Sequence, residues 1–270
     1  MIGSIVTGVL LQMISGEAQY VEGQSARQEV QQNSRVALEL IGSELRSLAG
    51  GGSLVRADDD SLTIRTPRIW GSVCAVPGPT TVDVAFPDVP GMSFSVNSGT
   101  GLVVNLGQAT TPVWSSAVTV SSIGAGANTC GGAALPTGVQ RRSLVLTGTP
   151  SSGGSTPLPG NLVYVYDQVT YRTGMSSGVP GRWIQRRIGD GANAANQPMA
   201  GPVNDGGGLE FRYFTNSSSL PLSTPIVDTA VRDSVSRIAL TVHAVSRNGR
   251  GDDRASKTDT ILVPLRNRRF

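Results

Sequence analysis

A hydrolase needs a nucleophile beside a base, and the only histidine in these 270 residues is His243, inside the alternating run SRIALTVHAV. Placed mid-strand on a polar face, with no Gly-x-Ser-x-Gly elbow in the chain, it reads as a satisfied or exposed strand histidine and not as a base. Cys74 and Cys130 with one histidine cannot supply four zinc ligands at a recognised spacing. Behind a membrane-like start, the even cysteine count instead suggests one extracytoplasmic disulfide, with two buried free thiols as the alternative. Asp58, Asp59 and Asp60 lack the alternating spacing and distal glutamate of a calcium loop, which leaves a solvated turn. The glycine runs at 124–132 and 206–208 have no strand-to-helix context that would cradle phosphate, and read as turns. Arg250-Gly251-Asp252 spells an adhesive tripeptide, too short a match to carry a function. The expectation is a chain that is not an enzyme, with no metal, no cofactor and no small-molecule substrate.

Charge offers one further chemistry. The formal excess is +3 and the isoelectric point about 9.2, with Lys257 the only lysine among otherwise arginine cations. That excess is too small to argue nucleic acid binding by itself. Arg141, Arg142, Arg186 and Arg187 are the candidate DNA contacts, while Arg266, Arg268 and Arg269 read as a solvated terminus.

The elements that must position these groups divide the chain in two. Residues 1–14, MIGSIVTGVLLQMI, carry no charge, and Ile2, Ile5, Val6, Val9, Leu10, Met13 and Ile14 make a tip apolar on all sides. It is shorter than the roughly 20 residues that cross a bilayer and lacks a preceding basic segment. The pattern runs on without a turn signal, with Val30, Ala37, Ile41, Leu45 and Leu48 at helical spacing. One helix over 1–48 is therefore predicted, stopped by Gly50, Gly51 and Gly52. Its first half must bury itself against something outside the domain. Its second half packs on the β-rich remainder of the chain, leaving Arg27, Arg35, Glu39, Glu44 and Arg46 to solvent. Gly3, Gly8, Gly16 and Gly23 favour a membrane or helix-bundle setting.

Residues 49–270 form a β-rich head. Gly 34 and Pro 16 against 15% charged residues describe a turn-rich body,. Short β-branched runs predict strands at Ser61–Thr66, TTVDVAF, SFSVN, GLVVNL, SAVTVSSI and RSLVLTG. The run GTPSSGGSTPLPG near 148–160 is a surface loop that divides a variable β-rich insertion, about 75–160, from the C-terminal sheet. In the last strand Ile238, Leu240, Val242 and Ala244 face the core and Ala239, Thr241, His243 and Val245 face away.

The junction RQEVQQNSRVALELIGSELRSLAG resembles that of the PilW- and PulJ-like minor pilins of type IV pili and type II secretion systems. VYVYDQVTYRT, RWIQRRIG, PVNDGGGLEFRYFT and VSRIALTVHAVSRN resemble the ordered strands of the same family. The resemblance implies an α+β, pilin-like fold in which a long N-terminal helix packs on an antiparallel sheet. It also implies a structural subunit that enters a filament through that helix and helps initiate or cap its assembly. Partners would be other minor pilins or pseudopilins and the assembly platform, with the chain anchored in the inner membrane of the cell envelope beforehand. The alternative is a DNA-uptake or adhesive module at a pilus tip. Family members open with a basic leader, a glycine-terminated peptidase site and an early glutamate. None of these is present here, so the resemblance implies a sequence that starts inside the family's helix.

Overall fold

No proline interrupts the first 48 residues. The computed structural model describes residues 2–48, 52–89, 95–107, 113–176, 178–189, 194, 196–247 and 254–265, with the backbone alone at 2–11 and 179. A single helix, α1 (Ile2–Arg46), spans 45 residues and is therefore about 70 Å long. Beyond it Gly52 takes a positive φ of 67°, a conformation that glycine adopts without steric cost,; Gly50 and Gly51 lie outside the described residues.

Strands then follow in the order β1 (Leu54–Ala57), β2 (Ser61–Gly78), β3 (Thr81–Pro87), β4 (Thr100–Val104), β5 (Val118–Ala125), β6 (Thr129–Cys130), β7 (Ala133–Ala134) and β8 (Val139–Leu146). The second half contributes β9 (Leu162–Ser176), β10 (Val179–Ile188), β11 (Asn196–Val203), β12 (Leu209–Thr215), a short helix α2 (Thr229–Ser234), β13 (Val235–Val245) and β14 (Ser256–Pro264). Every strand pair is antiparallel. The architecture is mixed α+β and mostly sheet. Of the expected run SFSVN, Ser95 to Asn97 are irregular and the rest lies outside the described residues. β13 is not the last strand, because β14 lies along it from Arg237↔Pro264 to Val245↔Ser256.

Following the pairings from β2 through β3, β8, β5, β4 and β9 leads back to β2, so these six strands close into a barrel. Its interior takes Val73, Phe86, Leu102, Val120, Leu144 and Val165, with one or more buried side chains from each strand. The segment between 75 and 160 thus supplies four staves, β3, β4, β5 and β8, and β2 and β9 supply the other two. Beyond the barrel, β2 and β9 continue into an open sheet with β10 to β14, and α1 covers one face of it.

One irregularity lets β2 serve both cores. Its even residues Leu62 and Ile64 point under the helix, whereas its odd residues Ile69 and Val73 point into the barrel. Pairing with β9 slips between Pro67 and Ile69, an extra residue that inverts the alternation,. On β9 no slip occurs: Val163 and Val165 fill the barrel, and Val169 and Tyr171 on the same face fill the helix core. At the junction Asp167 accepts from Thr100 Oγ1 at 2.9 Å and pairs with Arg68 Nε at 3.4 Å, a polar plug between the two cores.

Val30, Ala37, Ile41, Leu45 and Leu48 are all buried and share one cluster with Leu62, Tyr171, Phe211 and Leu240. This is the packing expected of the helix stripe; Ser34 and Leu38, not anticipated, are buried beside it. Removing a fully buried leucine costs the transfer energy of the lost methyl groups and that of the cavity left behind. Leu45→Ala is expected to lower stability by about 3 kcal/mol, read as a shifted denaturant midpoint.

Candidate functional site

Two parts of α1 meet different surroundings. From residue 12 to residue 25 every side chain is exposed, including Met13 at 63% and Tyr20 at 67%. Apart from the helix's own adjoining backbone, Gly16 and Gly23 have no described atom within 4 Å of the place a Cβ would occupy, so the helix is smooth there. Of the residues expected in a membrane or filament core, Met13 and Ile14 are exposed; the side chains of Ile2, Ile5, Val6, Val9 and Leu10 lie outside the described residues. Among the described residues no helix is long and apolar enough to cross a membrane.

The lower half of α1 is fixed in rotation as well as in depth. Asn33 Nδ2 donates to the Gly201 carbonyl at 2.7 Å, Ser34 Oγ donates to Asp259 at 2.6 Å, and Arg247 Nε pairs with Glu29 at 3.1 Å. These bonds stand around a helix whose apolar stripe could otherwise roll. Asp259 is held below the ordinary carboxylate range: its burial opposes the charge, but the Ser34 hydrogen bond and Lys257 outweigh it.

Glu44 departs from the expected solvated position. It points to the sheet, where Oε1 receives Arg186 Nε at 3.0 Å and Oε2 receives the Tyr171 hydroxyl and, at 3.4 Å, Thr66 Oγ1. The side chains of Arg186 and Glu44 are only 21% and 24% exposed. The Arg186 guanidinium sits above its ordinary value: burial opposes the charge, and Glu44 with Tyr171 more than restores it. A partly buried cation left without its carboxylate is costly. Glu44→Ala is expected to lower stability by about 2 to 3 kcal/mol, and Glu44→Gln by less, in the same denaturation measurement.

The arginines singled out for DNA separate in the fold. Arg186 belongs to the helix clamp just described. Arg141 pairs with Asp83 and donates to the Thr129 carbonyl at 2.6 Å, and Arg142 donates to Gln140. Arg187 alone lies in a basic groove, of about 600 Å3, on the sheet face away from α1, with Arg56, Arg172 and Arg182 beside Thr63 and Thr170. His243 Nδ1 lies 2.8 Å from Thr258 Oγ1, between strands β13 and β14. Asp58 is buried, not solvated: it pairs with Arg56, accepts from Ser61, and its carbonyl takes the Tyr213 hydroxyl at 2.8 Å. Arg250-Gly251-Asp252 and Arg266, Arg268 and Arg269 lie outside the described residues.

Cys74 and Cys130 are joined in a disulfide that ties the β6–β7 hairpin to β2. An outer-face aromatic group forms nearby, with Trp70 and Trp114 packed on Tyr164 at centroid distances of 4.9 and 5.5 Å.

No family model, curated protein or solved structure matches this chain.

Proposed function

We propose that the chain is a non-catalytic structural subunit of a type IV pilus-like filament, of the minor pilin or pseudopilin kind that its junction segment resembles. The observation carrying this reading is the division of α1: one continuous helix that from residue 30 to residue 48 buries one stripe against the sheet, while the described side chains from residue 12 to residue 25 are all exposed. Exposed Met13, Ile14, Tyr20 and Val21 on an open helix cost free energy in water until another apolar surface covers them,. A bundle of like helices, or a membrane beforehand, supplies that cover. The clamps at Glu29, Asn33, Ser34 and Glu44 keep the head at one angle to the helix, as a repeating assembly needs. The partners in this reading are other minor pilins and the assembly platform, and the place is the cell envelope.

The test is phase partitioning. The intact chain is expected to enter a nonionic detergent phase, and Met13→Glu combined with Ile14→Glu is expected to return most of it to the aqueous phase with the Cys74–Cys130 bond still formed. An intact chain that stays aqueous and monomeric would overturn the reading.

The second reading, a nucleic-acid-binding or adhesive tip module, draws support from the groove of Arg56, Arg172, Arg182 and Arg187. Arg56 and Arg182 there already face Asp58 and Asp205, which leaves it less charge to offer a phosphate backbone than four arginines suggest.

A further inference from the structure

β14 ends the sheet. It pairs with β13, and among the described residues no strand lies along its other edge. The ladder sets which groups face outward: the Ser246 N–H donates to the Ala255 carbonyl and the Leu265 N–H to the Ser236 carbonyl. Main-chain groups of the odd residues 255 to 265 thus point to β13, and those of Ser256, Thr258, Thr260 and Leu262 point away. A bare edge of this kind is a template for another strand. Beside it, on the α1 side, a groove of about 690 Å3 runs between β14 and a wall that includes Gln31, Arg35, Leu38 and Glu39. Among the described residues the edge therefore stands open, with room alongside for a neighbouring strand.

We propose that this edge pairs with the same edge of a second copy of the chain, antiparallel, about a two-fold axis through Thr258. An isologous contact of this type requires a self-complementary sequence, and β14 has one in this register. Thr258 then faces Thr258, Ser256 faces Thr260, Lys257 faces Asp259 and Ala255 faces Ile261. Hydroxyls meet hydroxyls on the outer face; on the helix side opposite charges meet and an apolar side chain meets an apolar one, the pairings that stabilise antiparallel ladders. The main-chain parity agrees, since the paired even residues are those whose N–H and C=O groups point away from β13 and meet no strand among the described residues. Moving the axis to Thr260 also keeps the parity. It sets Asp259 against Ile261, Thr258 against Leu262, and Ser256 against Pro264, which has no N–H to give.

The inference stands independently of the filament reading, because it uses the head's edge strand and not residues 12–25. The experiment uses the intact chain in nonionic detergent, whose native cysteines are already bonded to each other, so an added thiol reports alone. Across the axis the two Thr258 Cα atoms would stand about 5.5 Å apart, within disulfide range. Thr258→Cys is expected to give a covalent dimer on mild oxidation, many-fold above the exposed turn variant Ser217→Cys, while Leu262→Cys stays at that control. Adding Thr260→Pro should abolish the Thr258→Cys dimer: it removes an outward donor and spares the bonds to β13. Lys257→Glu, which places like charges opposite each other, should weaken association on the order of tenfold. A Thr258→Cys dimer no more abundant than the Ser217→Cys control overturns the pairing. Preferential cross-linking of Leu262→Cys with Thr258→Cys in a mixture overturns the register.

Discussion

Above about pH 10 the head is expected to lose about 4 kcal/mol of stability for each further pH unit. Tyr164, Tyr171 and Tyr213 are among the largest fully buried side chains, and each hydroxyl is pushed above the ordinary tyrosine value, burial being the largest cause. At Tyr171 the neighbouring Glu44 carboxylate adds to the push while Arg186 opposes it; at Tyr213 Asp58, Asp59 and Asp60 add to it. At Tyr164 the Arg65 guanidinium pulls the other way without overcoming burial. The unfolded chain ionises these phenols from about pH 10, whereas the folded chain keeps them protonated. The folded state then holds more protons, so rising pH favours unfolding, with a slope of about 1.36 kcal/mol per pH unit for each group. Below pH 10 both states hold the proton and the contribution is constant. Urea midpoints measured from about pH 9 to 12, with tyrosinate absorbance followed in parallel, check this. The three phenols should ionise only as the fold is lost. Tyr164→Phe provides the control: its hydroxyl has no hydrogen-bond partner among the described residues. The change should leave stability near neutral pH almost unaltered and reduce the alkaline slope by about a third.

The helix was the legible part of this sequence, because its signal is local. A stripe of Val30, Ala37, Ile41, Leu45 and Leu48 requires one covered face whatever covers it, and the structure places these five in one core. Glu44 is not legible in the sequence for an equally physical reason. It lies seven residues after Ala37, on the border of the buried stripe, where a carboxylate by its type alone belongs in solvent. Only the fold brings Arg186 and Tyr171, from strands far along the chain, to the same point. Asp58 repeats the lesson, since its partners Ser61 and Arg56 are near neighbours but the Tyr213 hydroxyl arrives from 155 residues away.

The barrel was less accessible still. The predicted strand ends at Thr66, next to Pro67, and proline inside a strand ordinarily argues against continuation. Here Pro67 stands at the slip in pairing that inverts β2 from the helix core to the barrel core. What looked like an end of the strand is its change of partner. Proline hid β11 in the same way, with Pro198 and Pro202 inside it. β14 escaped because its helix-facing side begins with Lys257 and Asp259, so the alternation of a half-buried strand is visible only at Ile261 and Val263. Closure itself has no local signal, since β2 and β9 meet across about a hundred residues, and no periodicity records which strands share an edge.

Removing the Cys74–Cys130 bond is the other large expected effect. The two residues are 56 positions apart, and the loop they close contains β3, β4 and β5, half of the barrel's staves. In the unfolded chain the bond denies this segment most of its end-to-end freedom, which corresponds to roughly 4 kcal/mol for a loop of that length. The native barrel already holds the same strands in place, so breaking the bond changes the folded state little. The largest native-state change should occur at the β6–β7 hairpin, whose described side chains are mostly exposed. Besides the bond, Arg141 donating to the Thr129 carbonyl and Gly126 N–H donating to the Arg141 carbonyl hold it. Cys74→Ala combined with Cys130→Ala is therefore expected to lower the unfolding free energy by about 4 kcal/mol, with reduction of the intact chain giving a similar loss. Proteolysis of the reduced protein should begin between residues 126 and 138 while the helix-covered sheet stays intact. A loss below about 1 kcal/mol would mean that the unfolded chain keeps these strands together without the bond, and that the disulfide fastens the hairpin alone.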